Sequence, residues 1–176
     1  MRKSLALIGF MGTGKTTLGR RLAKKLQLEF VDTDQCIEAR QGKRIADIFA
    51  AEGEAAFRQM ERELLEELCA RENLLIATGG GIVLDQGNRD CLREHTFLVT
   101  LTAKPSAVYN RVKNNTSRPL LQGSDPYKKI VAMMAARKAF YDIGHIIIQT
   151  DTMSEGKAIA QITEAYKKFC QNEKSI

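Results

Sequence analysis

Short apolar runs alternate with longer segments of helical period along this chain. Leu5 to Ile8, Leu28 to Val31, Leu74 to Ala77, Thr96 to Leu101 and Ile146 to Ile148 read as five strands. Runs this short, apolar on successive residues and bounded by turn residues, fit strands covered on both faces. Between them the spacing changes to that of helices. Thr17 to Leu26 has apolar residues at 18, 22, 23 and 26, and a second helix from about Gln35 to Arg40 breaks at Gly42. After Ile45 to Phe49 and Gly53, a long amphipathic helix runs to about Ala70, with Leu64, Leu65 and Leu68 on its core side. Asn88 to Arg93 is a short helix, Pro105 opens another that runs to about Lys113, and Tyr127 to Tyr141 forms a further one. A closing helix spans about Ser154 to Phe169, with Ile159, Ile162, Ala165 and Phe169 on one side. Strands alternating with helices predict an α/β fold: a five-stranded parallel sheet flanked by helices in three layers.

Length and composition narrow the class. At 176 residues the chain suits a single domain, 1–176, with a substantial core, and no internal repeat or linker divides it. No apolar run approaches the roughly 20 residues of a membrane helix. The basic start Met1-Arg2-Lys3 precedes an apolar run that ends in a glycine loop, so no targeting segment is expected. Cysteines at 36, 69, 91 and 170 show no metal-ligand spacing, which suits reduced thiols in the cytoplasm. The net charge of +6 admits nucleic acid as a partner, but aromatics are few and tryptophan is absent. Arg20, Arg21, Lys24 and Lys25 form a solvated face of the first helix. The expectation is therefore a monomer that handles anionic small molecules, with neither nucleic acid nor membrane as partner.

Candidate chemistry begins directly after the first strand. Gly9-Phe10-Met11-Gly12-Thr13-Gly14-Lys15-Thr16 matches G-x-x-x-x-G-K-[S/T] without a mismatch, between a strand and a helix. Glycines let successive backbone N–H groups turn towards one anion, and the helix N-terminus adds a favourable dipole. Gly12, Thr13, Gly14, Lys15, Thr16 and Thr17 are thus expected to bind ATP. Lys15 reaches the β- and γ-phosphates, and the Thr16 hydroxyl ligates Mg2+.

Three further segments stand at strand ends or in loops. Asp32-Thr33-Asp34 follows the second strand, where aspartates act equally well as ligands or as helix caps. Thr78-Gly79-Gly80-Gly81 follows the third strand, where many phosphate-loop enzymes carry a magnesium-binding aspartate. With no acid there, Asp32 becomes the expected metal support. Three consecutive glycines suit backbone that approaches a ligand closely. From Asn114 to Asp125 the chain is polar around Arg118, which suggests a lid, spanning about 112–126, that delivers an arginine to the transferred phosphoryl group. Phe49 and Phe57 read as core residues, Arg58 as the ion-pair partner of a nearby glutamate, and His95 and His145 as structural.

Taken together these landmarks resemble the shikimate kinase family over nearly the whole chain. The resemblance rests on Gly9 to Thr16, Phe30 to Asp34 with Ile37-Glu38, Ile48-Phe49, Gly53-Glu54, Phe57-Arg58 and Glu61. It continues through Gly79-Gly80-Gly81, Asn88-Arg89, Arg118 to Leu121, and Arg137 with Tyr141. It implies a fold of the nucleoside-monophosphate-kinase type, with a mobile lid and a substrate-binding region of about 33–61. It implies transfer of the ATP γ-phosphoryl group to the 3-hydroxyl of shikimate, in aromatic amino-acid synthesis. By the same resemblance Arg58, Arg137 and Gly80, within the glycine run 79–81, hold the substrate carboxylate. Asp34 binds the ring hydroxyls and accepts a proton, and Arg111 stacks on adenine. Catalysis then falls to Lys15, Asp34 and Arg118. These residue types suit the chemistry, since forked guanidinium donors pair with a carboxylate and phosphoryl transfer needs positioning and charge neutralisation. One departure follows Tyr141, where an acid, alanine and aspartate are common and this chain has Asp142-Ile143-Gly144-His145.

Two alternatives share the phosphate loop. A gluconate-type kinase would also want arginines for a polyol acid, and a nucleotide-binding regulatory module would lack transfer altogether.

Overall fold

A computed structural model describes residues 3–113 and 125–172. Its strands are β1 (Ser4–Ile8), β2 (Glu29–Asp32), β3 (Leu74–Ala77), β4 (Thr96–Thr102) and β5 (Ile146–Gln149). Its α-helices are α1 (Lys15–Leu26), α2 (Thr33–Gln41), α3 (Ile45–Cys69), α4 (Gln86–His95), α5 (Pro105–Val112), α6 (Pro126–Tyr141) and α7 (Glu155–Asn172). The strands form one parallel sheet in the order β2-β3-β1-β4-β5.

The pleat divides each strand between two cores. Ala6, Ile8, Val31, Ile76 and Leu98 face a core closed by residues of α2 to α6, including Ile37, Leu64, Leu92, Val108 and Ile130. Leu5, Leu7, Leu75, Val99 and Leu101 face the other, closed by Leu18 and Leu22 of α1 and Ala158, Ile162 and Tyr166 of α7. Three layers result, as the apolar runs require, because a strand covered on both faces has no polar side. At roughly 25 cal/mol per Å2 of apolar surface, this two-sided burial is the main stabilising term.

Helix boundaries follow local chemistry. Asp32, Asp85 and Asp125 cap α2, α4 and α6 by accepting from Gln35 N, Asn88 N and Lys128 N. The Asp32 cap starts α2 at Thr33, two residues earlier than the pattern implies, so Asp34 sits in its first turn. Gly42 closes α2 in the left-handed conformation, at φ 62°. The long helix begins at Ile45 rather than beyond Gly53, and Gly53, at φ 84°, kinks it. The buried stripe of α7 is also turned from the expected one. Ala158, Ile162, Thr163 and Tyr166 are buried, while Ile159, Ala165 and Phe169 pack partly. Tyr166 is drawn inward because its hydroxyl donates to Lys3 O at 2.6 Å.

After Tyr141 the chain turns sharply into β5. A side chain at Gly144 would meet Thr100 Oγ1 at 2.5 Å, so the departure at 142–145 makes a turn that lies on the backbone of β4. His145 completes it structurally, its Nδ1 accepting from Leu98 N at 2.9 Å.

The strand order places the site. β3 lies between β1 and β2, pairing Ala77 with both Leu7 and Asp32. The loops leaving the carboxyl ends of these three strands therefore emerge side by side, where open α/β sheets bind ligands.

Candidate active site

The phosphate loop leaves β1 and enters α1 at Gly14, whose φ of 99° suits glycine alone. Thr13 Oγ1 donates to Phe10 O at 2.7 Å and braces the turn. The Lys15 ammonium folds over the loop, donating to Gly9 O at 2.7 Å and Phe10 O at 3.1 Å. Thr17, next on α1, is exposed. Thr16 Oγ1 donates to Asp32 Oδ2 at 2.7 Å, joining the two oxygens expected at the metal. Asp32 Oδ1 meanwhile caps α2, so one oxygen of the carboxylate serves the helix and the other meets Thr16. A hydroxyl and a carboxylate are hard oxygen donors of the kind Mg2+ takes, alongside phosphate oxygens and water.

The glycine run after β3 packs between this loop and a charged cluster. Gly79 N donates to buried Thr33 Oγ1 at 2.9 Å, and Tyr141 Oη donates to Gly80 O at 2.5 Å. A Cβ on Gly80 would lie 3.3 Å from Met11 N of the phosphate loop. One on Gly79 would lie 2.5 Å from Asp34 Oδ1 and 2.7 Å from Glu61 Oε1, and one on Gly81 would strike the Arg58 guanidinium. Charged side chains occupy the space next to Gly79 and Gly81, and the phosphate-loop backbone lies next to Gly80.

Arg58 projects from α3 with its expected ion pairs made. Nη1 donates to Glu61 Oε2 at 2.5 Å and Nη2 to Glu54 Oε1 at 2.9 Å. The Glu61 side chain is 1% exposed, and its Oε1 has no hydrogen-bond partner. Burial pushes its carboxyl up to about 7 against the pull of Arg58, with Asp34 and Glu54 adding repulsion. Phe57 is buried and stacks on Phe49 with centroids 4.9 Å apart, which makes both core residues.

Asp34, Arg58 and the glycine run are thus brought together with the phosphate loop. Arg137 stands one turn before Tyr141 on α6, and the Tyr141 hydroxyl ties that helix to Gly80. Arg111 lies at the far side of the loop, where Nη1 donates to Gly12 O at 3.0 Å and Nη2 to Thr150 O at 3.0 Å. Arg118 and most of the expected lid lie outside the described residues.

A shikimate kinase family model matches residues 11–167. The chain belongs to the shikimate kinase family. A shikimate kinase of Pelotomaculum thermopropionicum is 45% identical over 166 residues, covering 94% of this chain and 96% of that protein. One of Symbiobacterium thermophilum is 45% identical over 164 residues, covering 92% and 94%. The structure of the Acinetobacter baumannii shikimate kinase in complex with shikimate superposes with a TM-score of 0.89 at 35% identity, over 94% of this chain and 93% of that one. Membership makes the chain an enzyme of phosphoryl transfer that uses ATP, on the three-layer α/β architecture expected from the sequence. No helix among the described residues is long and apolar enough to cross a membrane.

Four residues beside the site had no assigned role in the sequence. Glu61 stands three residues after Arg58 and seven after Glu54, the spacing of one helix face, so its pairing was readable. Thr33, Tyr141 and Thr150 carry no such signal, because each reaches its partner across the fold.

Proposed function

We propose that this enzyme transfers the γ-phosphoryl group of ATP to the 3-hydroxyl of shikimate, giving shikimate 3-phosphate and ADP in the route to chorismate and aromatic amino acids. The observation that carries this reading is the position of the glycine run. Gly80 lies against Met11 of the phosphate loop, while Gly79 and Gly81 lie against Asp34, Glu61 and Arg58. A donor cradle and an acidic-basic acceptor pocket share one wall.

In this reading Arg58 and Arg137 bind the substrate carboxylate with help from the Gly80 backbone, and the neighbouring glycines let the ring approach. Asp34 orients the ring hydroxyls and takes the proton of the 3-hydroxyl as its oxygen attacks the γ-phosphorus. The bond from that phosphorus to the β–γ bridging oxygen breaks, and ADP leaves with the electron pair. Lys15 exchanges its carbonyl partners for phosphate oxygens. Mg2+, when bound, neutralises charge on the β- and γ-phosphates, and Thr16 with Asp32 are the residues that would hold it. Arg118 supplies further positive charge to the transferred group, and Arg111 flanks the adenine. The 2.7 Å contact of Thr16 with Asp32 supports the metal assignment in the absence of an acid after β3. Both half-sites lie within one chain, which supports action as a monomer. The free thiols accord with the cytoplasm, where ATP is held.

An ATP-coupled assay across shikimate, quinate and gluconate tests this reading. Turnover with shikimate at the highest kcat/KM is the expected result. Phosphorylation of gluconate but not shikimate overturns it, and nucleotide binding without turnover on any of the three supports a regulatory module instead.

A further inference from the structure

Tyr141 is the last residue of α6 and is held at both ends. Its carbonyl accepts from Thr100 Oγ1 of β4 at 2.7 Å, and its hydroxyl donates to Gly80 O at 2.5 Å. Arg137 stands one turn back on the same face of α6. Tyr141 is buried, 8% exposed, and lines a cavity of about 180 Å3 together with Phe10, Thr100, Met134 and Lys138. The hydrogen bond of the hydroxyl fixes where the ring points. Gly80, between two other glycines, has no side chain to fix its peptide plane, so its backbone is intrinsically permissive. A buried hydroxyl that grips its carbonyl removes that freedom.

We infer that Tyr141 is a positioning residue that ties the Gly80 peptide to α6, the helix that carries Arg137, so that the two sides of the carboxylate clamp are set before substrate arrives. The inference rests on the reading of Arg137 and Gly80 as carboxylate binders. Preorganisation of this kind acts through the affinity for the carboxylate rather than on the phosphoryl group. Tyr141 touches neither the transferred group nor, in this reading, the substrate. The arrangement also assigns the cost of a lost hydroxyl. Gly80 O loses its donor, the glycine run loses its tie to α6, and the clamp has to be ordered by the substrate itself.

The test compares Tyr141→Phe with the unsubstituted enzyme on two acceptors, shikimate and the analogue with a hydroxymethyl group in place of the carboxylate. In the unsubstituted enzyme shikimate is bound more tightly than the alcohol. In Tyr141→Phe the KM for shikimate is expected to rise about tenfold, while that for the alcohol and the kcat on each stay within about twofold. The preference for the acid then shrinks by the same tenfold. Equal losses on both acceptors, or an unchanged preference, overturn the positioning role and leave Tyr141 as packing. An unsubstituted enzyme that does not distinguish acid from alcohol refutes the clamp instead. A second measurement needs no variant at position 141. In enzyme carrying 13C-labelled tyrosine, the Tyr141 Cζ resonance is expected to move when shikimate binds and to stay in place with the alcohol. Equal movement with both ligands overturns the inference.

Discussion

Arg58 Nη1 meets Glu61 Oε2 at 2.5 Å and leaves the other Glu61 oxygen buried without a partner. Half of this carboxylate is compensated and half is not, which is why burial outweighs the guanidinium and raises it to about 7. A carboxyl raised on folding holds its proton more firmly in the native state than in the unfolded chain. Its contribution to stability is then full below the unfolded value of about 4.5 and is lost as pH rises through about 7. Glu61→Gln removes that pH dependence. Denaturant unfolding at pH 5 and pH 8 should show the parent enzyme losing on the order of 1–3 kcal/mol more than the variant. Parallel losses in the two proteins would sink the assignment.

The acceptor side rests most heavily on Asp34. Asp34→Asn preserves shape but cannot take the hydroxyl proton, so kcat should fall by about 10² to 10⁴. ATP affinity should stay within about twofold, since the role proposed for Asp34 is on the acceptor hydroxyl rather than on the nucleotide. Calorimetric titration with a non-hydrolysable ATP analogue checks the second point, and an Asn variant with near-normal kcat would refute the first.

The two arginines should separate by their partners. Arg137→Ala is expected to raise the KM for shikimate by roughly 10- to 100-fold with little loss of stability, since Arg137 is only half-buried. Arg58→Ala should raise KM similarly and also destabilise the fold by about 1–3 kcal/mol, because Glu61 is left without its counter-charge. Steady-state kinetics with thermal unfolding reads both effects. An unchanged KM in both variants rules out the carboxylate clamp.

Glycine positions give an internal control. A methyl at Gly79 collides with Asp34 and Glu61, whereas one at Gly156 in α7 meets nothing within 4 Å. Gly79→Ala should therefore abolish activity and lower Tm by several degrees. Gly156→Ala should leave kinetics unchanged and stabilise by roughly 0.5–1 kcal/mol. A fully active Gly79→Ala enzyme would mean that the loop is looser than the structure places it.

Asp32 carries two contacts that one substitution separates. Asp32→Asn keeps an oxygen to cap α2 but loses the charge beside Thr16. The Mg2+ concentration for half-maximal activity should rise by about tenfold or more, with Tm changed by only a few degrees. A magnesium dependence identical to the parent's would remove Asp32 from the metal site.

Much of this protein was legible before any contact was known. Periodicity reports which side of an element is buried, so it yielded five strands, the α/β class and the core faces of α1 and α3. The phosphate loop was legible because its residues are contiguous and its glycines answer to backbone geometry. Its limits are equally physical. Periodicity does not report which neighbour covers a face, and it placed the buried stripe of α7 one position off because Tyr166 finds Lys3 at the other end of the chain. Asp32 was readable as either cap or ligand, and only the structure shows that one oxygen caps α2 while the other meets Thr16 across 2.7 Å. The reason for three glycines was likewise out of reach, because it lies in side chains from α2 and α3 beside Gly79 and Gly81 and in the phosphate-loop backbone beside Gly80. By itself the sequence determined the elements, the donor loop and the family, all set by local spacing. The tertiary structure alone decided that β3 enters between β1 and β2, that Glu61 loses its water, and that Tyr141 grips Gly80. Those outcomes depend on which residues meet across the sheet, and sequence distance does not measure that.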